Sequence, residues 1–395
     1  CYHYRDQDII LKKLAYLEGL RGIAALIVVF HHLVLLFYPA LNYGDGLDTV
    51  AKNISVSPLN ILYNGDFAVC LFFVLSGYVL SYKYLLKNDP AILIGYAAKR
   101  YFRLMPLIAS SVILVFIFIK LNLFQTQKLN GDLQLGDWLL SMFNGSPSPI
   151  EMLKNIFYGI LFFGDNQYNP VVWSMKVEFI GSMLLFALLL LNHKIKIKWI
   201  LMLVTFILAF YFGFYYYISF LFGYALCYID TKHFLRINNN ILKFALLFIA
   251  IMCCSYPAAW QYWNTSIYSF MTFSGLDLYS FYHVLGSGIL LLLITQHQAS
   301  QNFFSLKPVL FLGKISFPMY LFHLIVLIWV TPKVFSWLIL STGFYTCALI
   351  SILISLPLIV LISYLANQII DKPAIYFANK IEAWVLKILA QKNNT

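Results

Sequence analysis

The chain has 395 residues, of which 61% are hydrophobic and only 11% charged, and its formal net charge is +11. No soluble domain of this size has an interior large enough for that much apolar surface, so the composition excludes a water-soluble globular enzyme and indicates a polytopic membrane protein. In such a protein the location of the basic residues says more than their total.

Residues 1–16 form a short polar and basic segment with Arg5, Lys12 and Lys13. Ten apolar runs follow, near 18–38, 66–86, 105–123, 171–191, 199–213, 215–229, 241–257, 278–295, 311–331 and 343–366. An all-α polytopic membrane protein with about ten transmembrane helices is therefore expected. With the N-terminus cytoplasmic, 21 of the 27 basic residues fall on inner segments and five (Lys52, Lys120, Lys128, Lys154, Lys333) on outer ones, with Lys176 inside the fourth run. This division follows the positive-inside rule and predicts that both termini are cytoplasmic. The long outer loop 122–170 includes an apolar piece, Ile156–Phe163, too short to span and suited to a re-entrant or interfacial segment. Residues 373–395 read as a basic amphipathic tail on the inner membrane surface. The six cysteines lack metal or Cys-x-x-Cys spacing and read as small apolar residues. No metal site and no nucleic-acid partner is expected.

The first run, LEGLRGIAALIVVFHHLVLLFYP from Leu17 to Pro39, carries Glu18, Arg21, His31 and His32. Ionisable groups within a bilayer are costly and need partners, water or a function. Arg21 and His32 are eleven residues apart, roughly 16 Å along a helix and ~20° past three full turns, so they share one stripe. This arithmetic places a cation near one membrane face and a titratable base, His32, about halfway across. Arg21 as a snorkelling helix anchor is the plainer alternative.

Arg100 and Arg103 in AAKRYFRLMP (Ala97–Pro106) are three apart and share a helical face, with Lys99 beside them. Such a cluster fits phosphate oxygens, and it fits an anionic-lipid anchor as well. In VVWSMKVEF (Val171–Phe179), Trp173 suits an interface, while Glu178 inside apolar text could order His32, act as a base, or tie helices in an ion pair. Tyr320 and His323 are spaced for one face in LGKISFPMYLFH (Leu312–His323), and His283 stands in the eighth run.

Taken together in order, these motifs resemble the membrane-bound acyltransferase 3 family. LEGLRGIAALIVVFHH resembles its first-helix Arg, ten residues, His signature, through Arg21 and His32. FFVLSGYVL (Phe72–Leu80) is similar to its second helix, and KRYFRLMP matches its Arg-x-x-Arg through Arg100 and Arg103. WSMKVEF resembles Trp-Ser-Leu-x-x-Glu through Trp173, Ser174 and Glu178. The ninth run resembles its Gly-x-x-Ser-Tyr-x-x-Tyr-Leu-x-His through Gly313, Ser316, Tyr320 and His323. The resemblance covers the chain from about residue 15 to 372, and its departures (Glu18 for Asp, Met175 for Leu, Phe317 for Tyr) are mild.

The resemblance implies a transmembrane acyltransferase domain over 17–372 that moves an acyl group, usually acetyl, from cytoplasmic acyl-CoA to a hydroxyl of an extracytoplasmic acceptor such as an envelope glycan. It implies a multi-pass protein of the bacterial cytoplasmic membrane. Acyl-CoA is then a co-substrate, no bound cofactor is expected, and membrane lipids are the surrounding partner. The expected catalytic residues are His32, Glu178 and Arg21. Arg100, Arg103, Arg21, Lys99, Tyr320, His323, Trp173 and Ser174 are expected to bind acyl-CoA or substrate. Some family members carry an appended extracytoplasmic esterase-like domain. No such domain follows here, so the chain is expected to complete the transfer itself or hand the acyl group to a separate extracytoplasmic partner. A transporter or flippase using a His/Glu/Arg relay is the competing class, and acyl-CoA dependence separates the two.

Overall fold

The structure, a computed structural model, describes residues 14–45, 48–124, 148–194, 198–273 and 278–392. The expected basic residues Arg5, Lys12 and Lys13 and the outer stretch 125–147 with Lys128 lie outside the described residues. The principal helices are α1 (Ala15–Phe37), α2 (Gly65–Lys87), α3 (Ala91–Lys120), α4 (Trp173–Lys194), α5 (Lys198–Tyr211), α6 (Tyr215–Thr231), α7 (Asn240–Cys254), α8 (Tyr279–Gln296), α9 (Ser316–Trp329), α10 (Phe344–Ala366) and α11 (Lys372–Lys392). No strand occurs among the described residues.

Long apolar runs become helices because lipid offers the backbone no hydrogen-bond partner, so each N–H must find a carbonyl within its own segment. Seven stretches are long and apolar enough to cross a membrane, and they contain α1, α2, α3, α4, α8, α9 and α10. The shorter apolar helices α5, α6 and α7 fill the three remaining runs. The protein is an all-α polytopic membrane protein. α5 and α6 meet at Gly213, whose φ of +70° makes the reversal that a side chain would resist. Asn64 caps α2 by accepting from the Phe67 N–H at 3.0 Å, and Asn88 ends it in the left-handed region at φ 50°.

Two boundaries differ from the sequence reading. The basic stretch before residue 105 is already helical, so α3 starts at Ala91 and carries Pro106 within it. The ninth run divides at Ile315 into Lys307–Lys314 and α9. The tail is helical as α11, which follows α10 through a π-helical turn, Asn367–Asp371, and packs along α3. Tyr376, Trp384 and Ile388 stay exposed, and the partly exposed Phe377 packs edge-on against Phe102 of α3.

α2 and α6 cross at Gly77 and Gly223. A Cβ at Gly223 would lie 2.1 Å from the Val74 carbonyl oxygen, and one at Gly77 would lie 2.3 Å from that of Phe220. Only residues without side chains allow this backbone approach, the usual basis of helix association in lipid. The segment Asn155–Phe163 forms a single π-helical stretch that exposes Phe157, Tyr158, Phe162 and Phe163 and packs on α4 and α3. The Tyr101 hydroxyl of α3 donates to the Phe157 carbonyl at 3.0 Å.

Candidate active site

Four helices turn one stripe each toward a common interior. The residues are Arg21 and His32 on α1, Val69, Phe73, Ser76 and Leu80 on α2, Ser174 and Glu178 on α4, and Ser316, Tyr320 and His323 on α9. The spacings of three and four on α2, α4 and α9, and of eleven on α1, each keep to a single helical face. Between these helices and α3 lies a cavity of about 210 Å³. Its polar lining is Arg21, Ser76, Arg100, Arg103, Ser174, Glu178, Ser316 and Tyr320, and Phe72, Phe73, Leu104 and Met175 are among its apolar walls.

The cations of this cavity differ in their partners. Arg100 is ion-paired with Glu178 and donates from Nε to Ser182 Oγ at 3.0 Å. Ser76 Oγ donates to the same Glu178 oxygen at 2.7 Å. Arg103 holds Asp371 through both fork nitrogens, at 2.6 and 3.4 Å, and Asp371 also accepts from Asn367 Nδ2 at 3.2 Å. Arg21 makes no hydrogen bond or ion pair among the described residues, although it lines the cavity. A guanidinium presents five donors in a planar fork matched to carboxylate and phosphate. The cavity thus carries one cation whose fork is unspent on protein and two whose forks are partly spent.

At the far end of the stripe the histidines meet. His323 Nδ1 donates to the Met319 carbonyl at 3.0 Å, and His32 Nδ1 donates to the Val28 carbonyl at 2.9 Å. Carbonyls only accept, so both protons sit on Nδ1. The 3.1 Å approach of His32 Nδ1 to His323 Nε2 is then a second branch of the same donor. This tautomer leaves Nε2 of His32 as its proton-accepting nitrogen, the form a general base requires. His31 has another task. Its Nδ1 donates to the Tyr63 carbonyl at 3.0 Å, and its ring lies so close to Gly65 that a Cβ there would be 2.7 Å from Cδ2.

Residues 14–366 match the model of the acyltransferase 3 family, described as an acyltransferase domain. The chain belongs to this family. Nothing matches it in a search of curated proteins or in a search of solved structures. The protein is a multi-pass membrane acyltransferase, and Arg21, Arg100, Arg103, Ser174, Glu178 and Tyr320, singled out by the family motifs, line this cavity.

The geometry gives the remaining expected site residues their settings. Glu178 takes the ion-pair alternative, held by Arg100 and Ser76, and the His32 ring lies beside that of His323, centroids 4.8 Å apart. His32 is 17 residues after Ala15 and five before Phe37, so it lies about 26 Å from the start of α1 and about 8 Å from its end, well past the midpoint. Lys99 faces away from the cavity. Its Nζ pairs with Glu382 at 2.5 Å and lies over the Tyr96 ring, which clamps α11 to α3. Trp173 leaves the cavity wall to its neighbour Ser174 and packs on Tyr216, ring centroids 5.3 Å apart. The Tyr320 hydroxyl is 2.8 Å from Ser174 Oγ and 3.0 Å from the Val171 carbonyl, and with Phe72 it closes the cavity on the His32 side. Lys99→Ala is accordingly expected to leave the donor KM within about fivefold of wild type, as for a partly solvated ion pair remote from substrate. Steady-state kinetics on the purified variant checks this.

Proposed function

We propose that this membrane acyltransferase moves an acetyl group from cytoplasmic acetyl-CoA to a hydroxyl of an extracytoplasmic envelope glycan, in the cytoplasmic membrane of a bacterium. The observation that carries the donor half is the cavity-facing Arg21, a cation in direct contact with no carboxylate among the described residues. Arg21 feels the charges of Glu178, Glu18 and Asp371 without a direct bond to any of them, so its donors remain open to a bound anion. Phosphates of coenzyme A supply such an anion, with the remaining donors of Arg100 and Arg103 beside it. A cavity of about 210 Å³ suits the acyl-pantetheine arm and is too small for the whole nucleotide, which stays at the mouth.

In the transfer step the acceptor oxygen attacks the thioester carbonyl. A carbon–oxygen bond forms, the carbon–sulfur bond breaks, and the hydroxyl proton passes to His32 Nε2 and then to the leaving thiolate. Arg21 lines the cavity and His32 lies beyond Tyr320 and Phe72 on the same stripe, so in this reading the acyl end passes those two rings to reach the base. In this reading one chain completes the transfer, with Tyr320 and Ser174 contacting the acyl end.

Equilibrium binding of radiolabelled acetyl-CoA to the purified protein in lipid nanodiscs tests the donor assignment. Saturable binding that unlabelled CoA displaces is expected. Absence of binding overturns it and returns the arginines to a helix-anchoring role.

A further inference from the structure

His283 and Asp66 form a buried pair that the account above leaves unused. His283 is 0% exposed, and its Nδ1 lies 2.7 Å from Asp66 Oδ2. The Nε2 of the ring lies 3.0 Å from the Tyr256 carbonyl and 3.2 Å from Asn64 Nδ2. Tyr216 donates from its hydroxyl to Asp66 Oδ1 at 2.5 Å and receives a bond from Ser280 Oγ at 3.1 Å. Of the pair, only the carboxylate reaches open space, its side chain being 14% exposed.

Position gives this pair its meaning. Asp66, Val69, Phe73, Ser76 and Leu80 follow one another at three- and four-residue spacing, so Asp66 continues the α2 stripe one turn beyond the donor cavity. Tyr216 touches Phe73 of the cavity wall on one side, ring centroids 5.9 Å apart, and Trp173 on the other. Gly65, the residue before Asp66, lies against the His31 ring, and His31 adjoins His32. A carboxylate and an aromatic platform thus stand together one turn beyond the donor cavity, beside the residue that packs on His31, the neighbour of the proposed base. Carboxylates accept hydroxyl donors, and a half-buried Trp–Tyr pair offers flat apolar faces to ring C–H groups.

We propose that Asp66 is the acceptor-binding carboxylate, that His283 and Tyr216 are its positioning residues, and that the site takes a neutral, polyhydroxylated ring laid against Trp173. The proposal rests on the acyltransfer reading given above and names the acceptor side of the same interior. Asp66 already accepts from His283, Tyr216 and the Cys70 thiol, so it would bind one ring hydroxyl through its remaining lone pair.

Saturation-transfer NMR on the purified full chain in nanodiscs tests it, with methyl β-D-glucopyranoside, methyl β-D-galactopyranoside and myo-inositol as probes and acetyl-CoA titrated separately. At least one ring is expected to bind wild-type protein. Asp66→Asn is expected to weaken that ring about tenfold or more, because a hydrogen bond to a charged acceptor is lost. Tyr216→Phe, which keeps the platform and removes one positioning bond, is expected to weaken it less, and both variants should bind acetyl-CoA as wild type does. The proposal is overturned if no probe binds wild-type protein, or if Asp66→Asn binds the ring unchanged. It is overturned too if both variants lose acetyl-CoA and ring binding together, which marks the pair as a structural brace. Wild-type protein that binds a ring through Asp66 but fails to bind acetyl-CoA upholds this site and sinks the donor assignment instead.

Discussion

His32→Ala is expected to slow acyl transfer by about 10²–10⁴-fold or more while leaving acetyl-CoA binding nearly unchanged, the signature of a lost general base. His31→Ala should behave differently. It removes the bond to the Tyr63 carbonyl and the ring that packs on Gly65, so its main cost is stability, about 1–3 kcal/mol. Transfer rates, donor affinity and thermal unfolding of the two variants side by side separate these outcomes. A His32→Ala protein that transfers at the wild-type rate removes the base from the mechanism.

Arg21→Ala is expected to raise the donor KM about 30-fold or more, the loss of a desolvated charge contact to phosphate. Because Arg21 makes no direct ion pair among the described residues, and Glu178 and Asp371 keep Arg100 and Arg103, the variant should fold and accumulate in the membrane. Arg100→Ala contrasts with it. That change strands Glu178 in a largely buried setting, and breaking such a pair costs about 3–5 kcal/mol, so loss of folded protein is expected there. Raising the salt concentration should weaken donor binding in wild type more than in Arg21→Ala, since one charge contact is already missing from the variant. Equal salt slopes would argue that Arg21 does not face the donor.

The elements that periodicity alone determines were legible in the sequence. A continuous apolar run must become a helix in lipid, and eleven residues bring Arg21 and His32 to one stripe whatever surrounds them. Partner choice across helices was not. Glu178 meets Arg100 and Ser76 because α3 and α2 pack on that side of α4, and nothing local to Val171–Phe179 records that packing. Lys99 and Arg103 lie only ~40° apart around a helix, yet Lys99 sits one turn farther from the cavity, at the level where α11 crosses α3 and offers Glu382. Asp371 escaped notice because it stands where the tenth run ends, and the π-helical turn there is what presents it to Arg103. Asp66 did leave a signal, the three- and four-residue spacing from Asp66 to Leu80, but an acid at the first turn of a span also reads as an ordinary helix end.

The central claim is that the donor is taken from one side of the membrane and that the cavity of Arg21, Arg100 and Arg103 opens there. Its most direct test is release of free CoA thiol from acetyl-CoA supplied to sealed membrane vesicles of defined orientation containing the full chain and native acceptor. Inside-out vesicles, which expose the face bearing both termini, should release thiol, and right-side-out vesicles should not until they are permeabilised. Release at equal rates from both orientations, or from neither, would contradict the account.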